Sequence, residues 1–182
     1  MLNLNRGRKK YLTVKQRNQM EKVVYSNRSQ VNRVIDLNNY CCPICGNIMR
    51  WKEANYSDRK DVYLLICGKC DVLGKARKER NGTIVLKSVP ADKKTRDLRE
   101  EAHYYFDILY KEKIFNSREQ AYLWLAEQIY SYDVGIRHIG EMNAEQCKRA
   151  IEVVKDCLAV NEHRLSHPVK PYKKDYSWKK NR

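Results

Sequence analysis

Two pairs of cysteines constrain the fold of this chain more than any other feature of its sequence. Each pair forms a C-x-x-C motif, Cys42 with Cys45 and Cys67 with Cys70, and twenty-one residues separate the two motifs. A C-x-x-C turn directs two sulfur atoms at one point, and two such turns complete a tetrahedral thiolate shell for Zn²⁺. Because four thiolates leave no open position for water, the pattern predicts one structural zinc ion with no catalytic role.

The residues beside these cysteines are typical of a zinc ribbon. Pro43 stiffens the first turn, and Gly46 and Gly68 are expected to supply the positive φ that turns beside a metal often need. Cys41 is adjacent to a ligand, but we expect Cys42 to bind the metal because only Cys42 gives the two-residue spacing within the first motif.

The alternatives to a zinc site are disulfides or a redox-active dithiol. A thioredoxin-like site would use one C-x-x-C in a βαβ setting, which this sequence does not show. Disulfides need an oxidising compartment, but residues 1–10 do not look like a secretory signal peptide, because they are basic with no apolar core after them. The seven cysteines are also odd in number, which does not suit a full set of disulfides.

No apolar run reaches the length of a membrane span. We therefore expect a soluble, cytoplasmic protein with no membrane association.

The positive charge is concentrated in parts of the chain. The net charge of +15 divides into +7 in residues 1–40, +5 in 41–91, −2 in 92–159 and +5 in 160–182. A segregated positive field suits a polyanion-binding protein, since each neutralised phosphate releases counterions. The distribution favours a nucleic-acid partner, DNA or RNA, over a charge that only keeps the chain soluble.

The sequence predicts an α+β fold in four segments. They are a basic N-terminal arm and helix in residues 1–40, a four-cysteine zinc ribbon in 41–91, a three-helix unit in 92–160 and a basic aromatic tail in 161–182. The composition of the tail suits either a flexible arm that grips single strands or folds on binding, or an untethered tail. The ribbon should contain two hairpins, with strands at 47–52, 62–67, 72–77 and 83–88. Asn81-Gly82, a favoured pair for a two-residue turn, lies near the tip of the second hairpin.

Capping signals place the three helices. Asp92 or Thr95 is expected to cap the first helix, and Asn143 the third. Ser117 precedes the second helix and opens a capping box with Gln120. Cys147 and Cys157 fall at core spacing in the third helix and are expected to act as small buried hydrophobes.

Cations of the second hairpin and of both basic ends are predicted to hold phosphates. The residues predicted to contact nucleic acid are Lys75, Arg77, Lys78 and Arg80 on the hairpin, Arg6, Arg8, Lys9 and Lys10 in the N-terminal arm, and Lys173, Lys174 and Trp178 in the tail. Trp51, Tyr56 and Tyr63 are aromatic residues that could stack on bases, although Tyr63 better fits the thin core of a ribbon.

A second polar cluster is predicted in the first helix. Glu100, His103 and Asp107 are three and four residues apart, so they share one helical face. The trio would suit a second metal or the acid–base pair of a nuclease, whereas most such clusters are exposed, hydrogen-bonded surface. No P-loop, Rossmann glycine pattern, HExxH motif or nucleophile elbow is present, so no catalytic residue is predicted.

Several motifs resemble, in the same order, a zinc-finger-containing family of unknown function found in phages, prophages and bacteria. The motifs are Cys42-Pro43-Ile44-Cys45-Gly46, Cys67-Gly68-Lys69-Cys70-Asp71, Leu98-Arg99-Glu100-Glu101-Ala102-His103, Ala121-Tyr122-Leu123-Trp124-Leu125-Ala126 and His138-Ile139-Gly140-Glu141-Met142. The resemblance covers about residues 41–157. It implies zinc ligation by the four cysteines and a phage or mobile-element setting. The family pattern has a Cys-His pair after the second motif, where this chain has Lys75-Ala76.

The sequence therefore predicts a non-catalytic, zinc-ribbon protein that binds nucleic acid with weak sequence preference. The alternative is a protein-interaction module that docks on a host polymerase or a defence factor, with the acidic, aromatic three-helix unit as its interface.

Overall fold

The computed structural model describes residues 34–54, 61–129 and 138–174, all within one compact unit of the chain. The predicted N-terminal arm and helix lie outside the described residues, apart from the last few residues of that segment. The residues of the predicted interface that also lie outside are Arg6, Arg8, Lys9, Lys10 and Trp178, together with the aromatic Tyr56.

The strands of the ribbon form one antiparallel sheet. They are β1 (Arg50–Glu53), β2 (Val62–Ile66), β3 (Leu73–Lys78) and β4 (Ile84–Ala91), which lie in that order across the sheet. The two predicted hairpins are joined because β2 also pairs with β3.

The first strand begins at Arg50, later than the sequence predicts, because the residues before it close the first metal-binding turn. The Cys42 amide donates to the carbonyl of Asn47 at 2.7 Å, and the Met49 amide donates to the carbonyl of Tyr40 at 2.8 Å. These backbone groups pair within the turn, so the strand starts only after it.

The second hairpin turns through three residues rather than two. The Glu79 amide donates to the carbonyl of Thr83 at 2.8 Å, and the Gly82 amide donates to the carbonyl of Glu79 at 2.9 Å. Gly82 has φ of +86°, which suits the left-handed position that ends a three-residue hairpin loop. Asn81 stabilises the turn through its side chain, which accepts from the Thr83 amide at 3.1 Å.

The last strand extends past its predicted end and includes Pro90. Proline fits there because β4 lies at one end of the named strand order, where a missing amide costs little. A Cβ atom at Gly74 would lie 2.6 Å from the Pro90 side chain, so the contact between β3 and the end of β4 requires glycine.

One face of the sheet carries the ribbon core. Its buried members are Leu37, Cys42, Met49, Leu65, Cys67, Val72 and Ala76. Trp51 lies on this same face, since it pairs with Leu65, and its ring meets that of Tyr63 edge-on with 5.6 Å between centroids. The indole also donates to the Asn38 side chain at 3.1 Å. The two aromatic residues therefore contact each other on the core side.

The three helices follow as the capping signals predict: α1 (Lys93–Lys111), α2 (Arg118–Ile129) and α3 (Ala144–Val160). Asp92 caps α1, and Asn143 forms a complete capping box at the start of α3. At α2, the Ser117 hydroxyl accepts from the Gln120 amide as expected, but the Gln120 side chain accepts from the amide of Asn116 at 3.2 Å. In the predicted capping box the Gln120 side chain would accept from the Ser117 amide, so the actual donor lies one residue earlier.

The helices enclose a second core, distinct from that of the ribbon. Its buried members are Ala102, Tyr105, Phe106, Leu109, Ala121, Tyr122, Leu125, Ile139, Met142, Cys147, Ala150, Ile151, Val154 and Leu158. Cys147 is fully buried as predicted, whereas Cys157 is half-buried at the edge of this core.

The beginning of the tail packs against α1, a point that the sequence left open. Leu165, Val169 and Tyr172 contact the helical core. The Tyr172 amide donates to the hydroxyl of Tyr105 at 2.9 Å. The helical unit therefore includes the chain to residue 174, where the described part of the tail ends.

Candidate metal centre and basic face

The two C-x-x-C turns bring four sulfur atoms together. The Sγ–Sγ distances are 3.6 Å for Cys42–Cys70, 3.4 Å for Cys45–Cys67, 3.6 Å for Cys45–Cys70 and 3.3 Å for Cys67–Cys70. All four sulfur atoms lie within 4.8 Å of one another. The sequence predicted this set of residues, and the fold assembles it.

The donor set fits a zinc ion. In a tetrahedral site with Zn–S bonds of about 2.3 Å, neighbouring sulfurs are about 3.8 Å apart, close to the distances found here. The cysteines are all free, which excludes the disulfide alternative in this structure. Four sulfur ligands close the shell, so the zinc of this site is structural.

Two donors stabilise sulfur atoms of this cluster as thiolates. The Asn47 side-chain amide donates to Cys45 Sγ at 3.1 Å and lowers the pKa of that thiol to about 6. The Lys69 backbone amide donates to Cys67 Sγ at 3.5 Å and likewise lowers the pKa of Cys67. The Cys70 thiol donates to the sulfur of Cys67, which raises the pKa of Cys70 to about 12. Metal binding would release that proton.

The residues around the ligands bear out part of the sequence prediction. Gly46 has φ of +73°, as the first turn requires, but Gly68 does not adopt a positive φ. A Cβ atom at Gly68 would instead lie 3.5 Å from the guanidinium of Arg50. Cys41 is exposed and stays outside the sulfur cluster, so Cys42 is the ligand.

A closed four-sulfur site beside a small antiparallel sheet defines a structural zinc ribbon. The model of a family described as a zinc-finger-containing domain matches residues 38–157, which is well over half of the chain. The chain belongs to this family of zinc-finger-containing domains. No curated protein and no solved structure matches it significantly.

The sheet register brings four cations onto the face opposite the ribbon core. Lys52, Leu64 and Lys75 are direct partners in one row across β1, β2 and β3. Arg50 lies two residues before Lys52 in β1, and Arg77 lies two residues after Lys75 in β3. Both arginines therefore share the face of that row. We call Arg50, Lys52, Lys75 and Arg77 the basic face.

The basic face has two columns of cations with an apolar stripe between them. All four cations are exposed. The stripe belongs to β2, whose residues on this face are Val62, Leu64 and Ile66, each half-buried. Arg50 reaches over Gly68, which places one column beside the second metal-binding turn.

Only part of this surface was predicted from the hairpin cations. Lys75 and Arg77 belong to it, whereas Lys78 pairs with Ile84 on the other face and Arg80 lies in the hairpin loop. Sequence reasoning missed Arg50 and Lys52. The alternation of Arg50, Trp51 and Lys52 in a predicted strand was the available signal, but it gives no partner strand.

An acidic residue partly neutralises one column. Glu79 accepts two hydrogen bonds from Arg77 Nη2, at 2.9 Å and 3.0 Å, and one from Lys87 at 3.2 Å. These bonds lower the pKa of Glu79, so it is ionised at neutral pH.

The described tail cations differ in their surroundings. Lys174 pairs with Asp97 and Glu100, the latter at 3.1 Å, and these carboxylates compete with any phosphate for its ammonium group. Lys173 is exposed. The contact of Lys174 with nucleic acid stays a prediction, and a phosphate would have to displace these two carboxylates.

The predicted polar trio is divided by the fold. Glu100 pairs with the tail, whereas His103 lies beside His138 with 5.2 Å between ring centroids. Asp107 lies 3.7 Å from the guanidinium of Arg118. His103 and Asp107 thus lie among residues of other helical-unit segments, while Glu100 faces the tail.

This cluster is largely enclosed. Burial lowers the pKa of His103, which is therefore neutral near pH 7, and raises the pKa of Tyr122 to about 12. His138 accepts from the Gly140 amide through Nδ1 at 3.1 Å, which leaves the proton of a neutral ring on Nε2. Within the described ranges, Asp107 Oδ1 and the Tyr122 hydroxyl are buried without a hydrogen-bond partner.

None of the helices in the described ranges is long and apolar enough to cross a membrane.

Proposed function

We propose that the chain binds nucleic acid through the basic face. The observation that carries the proposal is the register that places Arg50, Lys52, Lys75 and Arg77 together on one exposed face. Among the strand residues that the register assigns to this face, none is acidic, and Glu79, which pairs with Arg77, lies just beyond the end of β3. Each lysine or arginine that neutralises a phosphate releases counterions, which provides binding energy without sequence preference.

The zinc ion would position this surface without touching the ligand. Cys67 directly follows β2, and Cys45 precedes β1 by only a few residues. A metal bound to both cysteines fixes the start of β1 against the end of β2, and these strands carry half of the basic face and its apolar stripe. Loss of zinc should therefore remove the contribution of the basic face to binding.

The alternative interface, the helical unit, is less favoured by the structure. Three aromatic residues of this unit, Tyr105, Phe106 and Tyr122, are buried in its core and are not available to a partner. The resemblance to phage and prophage proteins supports a further part of the proposal, namely that the protein acts in the cytoplasm of a bacterial host on phage or mobile-element nucleic acid.

The test is the affinity of zinc-loaded protein for labelled nucleic acid, measured by fluorescence anisotropy. The variant replaces Arg50, Lys52, Lys75 and Arg77 with alanine. The matched control removes four exposed cations of the helical unit, Lys94, Lys111, Lys148 and Arg149. We expect the basic-face variant to lose most of the affinity and the control to retain it, with zinc content and circular dichroism unchanged in both. Equal affinities of the two variants would refute the proposal.

A further inference from the structure

We infer that the ligand of the basic face is double-helical DNA, held across its minor groove with one column of cations on each backbone. This inference rests on the proposed function and adds the form of the nucleic acid to it.

The described strand positions of the basic face carry no aromatic side chain on which a base could stack. Proteins that bind single strands combine cations with aromatic side chains on which successive bases stack. The register assigns only aliphatic, small or cationic residues to the strand positions of the basic face. The aromatic residues of the described strands, Trp51 and Tyr63, lie on the opposite face and contact each other. The basic face therefore suits a ligand whose bases are already stacked.

The spacing of the two columns matches the minor groove of a DNA duplex. Arg50 and Lys52 on β1 are separated from Lys75 and Arg77 on β3 by two strand spacings, which is about 9.6 Å. The minor groove of B-DNA is about 6 Å wide between its walls and the major groove about 12 Å. These widths exclude the radii of the phosphate groups, so the phosphorus atoms themselves are about 12 Å apart across the minor groove and about 18 Å apart across the major groove. Columns about 9.6 Å apart, on flexible side chains, therefore match the phosphates that border the narrower groove.

The stripe between the columns has only apolar side chains. Val62, Leu64 and Ile66 offer no hydrogen-bond donor or acceptor from their side chains. Recognition of an RNA duplex relies on contacts with 2′-hydroxyl groups across its minor groove. An aliphatic stripe would bury those hydroxyls without partners, whereas deoxyribose has none at that position. The stripe therefore favours DNA over RNA.

The experiment compares four probes of one AT-rich sequence: the DNA duplex, each of its strands alone and the corresponding RNA duplex. For each probe, the affinity gain is the ratio of the wild-type affinity to that of the four-alanine variant. Both proteins have the same basic ends, so the contributions of the ends cancel in this ratio. We expect this gain for the DNA duplex to exceed the gain for every other probe by a factor of about ten or more. Netropsin, which fills the minor groove, should displace the protein from the duplex, while methyl green, a major-groove ligand of like charge, should not.

Each column is also tested alone. Replacing Arg50 and Lys52 with alanine, or Lys75 and Arg77, should lower duplex affinity to a similar extent, because each column holds one backbone. An equal gain on single strands or on the RNA duplex would overturn the inference while leaving nucleic-acid binding by the basic face intact. Displacement by methyl green in place of netropsin would overturn it as well. Equal affinities of wild type and the four-alanine variant for every probe would overturn the proposed function itself.

Discussion

The guanidinium of Arg99 in α1 donates from Nη1 to the carbonyl oxygen of Val89 in β4 at 2.6 Å. The same side chain donates from Nε to the carbonyl of Met142, just before α3, at 2.8 Å. Arg99 is only 8% exposed, and burial lowers the pKa of its guanidinium, which nevertheless stays charged. One buried cation thus joins the sheet, α1 and the segment that leads into α3.

Replacing Arg99 with alanine should destabilise the fold by about 2–4 kcal/mol, because two carbonyl groups lose charged donors and a cavity remains. The free energy of unfolding in urea measures the loss. Lys94→Ala, an exposed neighbour on the same helix, is the control and should change stability by less than about 0.5 kcal/mol. A comparable effect of the two substitutions would show that Arg99 does not join these elements.

The metal site predicts opposite behaviour of two adjacent cysteines. Wild-type protein should hold one zinc ion per chain, and Cys42→Ser should lose it together with the ordered environment of Trp51, since the closed shell needs all four sulfurs. Cys41→Ser should retain the metal. Elemental analysis and near-ultraviolet circular dichroism report the two properties. Retention of zinc by Cys42→Ser with loss in Cys41→Ser would require a different ligand set.

Removing the acid beside the basic face should strengthen nucleic-acid binding. In Glu79→Gln, Arg77 and Lys87 lose their carboxylate partner, so both become available to phosphates. We expect an affinity gain of about three- to tenfold at low salt. Because exposed ion pairs contribute little, stability should change by less than about 1 kcal/mol. Glu152→Gln on α3 makes the same change in net charge and should leave affinity almost unchanged. Equal gains from both variants would indicate a general charge effect.

The contact between the tail and α1 should depend on pH. The hydrogen bond from Lys174 lowers the pKa of Asp97, so the stabilisation from this carboxylate is present above the unfolded pKa of about 3.9 and is lost as the pH falls through the lower folded pKa. The same contact raises the pKa of Lys174, so its contribution is present below about pH 10.4 and is lost as the pH rises through the higher folded value.

The measurement is the difference in unfolding free energy between wild type and Lys174→Met across this range. The difference should be constant between about pH 5 and 9 and should vanish in acid once Asp97 is protonated. Lys173→Met, an exposed neighbour, should show no such dependence. A difference that persists at acid pH would mean that Lys174 stabilises the tail through packing of its methylene chain.

The features that the sequence predicted well depend on local patterns. A C-x-x-C motif specifies its own turn, and Asp92 and Asn143 cap their helices with side chains that reach only three residues along the chain. The zinc ligands and all three helices follow from such short-range chemistry. The shifted bond of Gln120 shows its limit, because the sequence alone did not distinguish two neighbouring amides as donors.

The features that the sequence missed depend on long-range pairing. Arg50 and Lys52 join Lys75 and Arg77 only through the register of β2, and nothing near either pair in the sequence encodes that register. Lys174 looked like a tail cation because its partner Asp97 lies in another element. A polar residue such as Arg99 was equally invisible as a core residue, since its partners are backbone carbonyls that any sequence provides.

The salt dependence of duplex binding tests the central claim most directly. The logarithm of the binding constant falls with the logarithm of salt concentration by about 0.9 for each phosphate that the protein neutralises. If the basic face makes four such contacts, its four-alanine variant should have a slope smaller than that of wild type by about 3.6, whereas the helical control variant should keep the wild-type slope. Identical slopes for wild type and the basic-face variant would contradict the account.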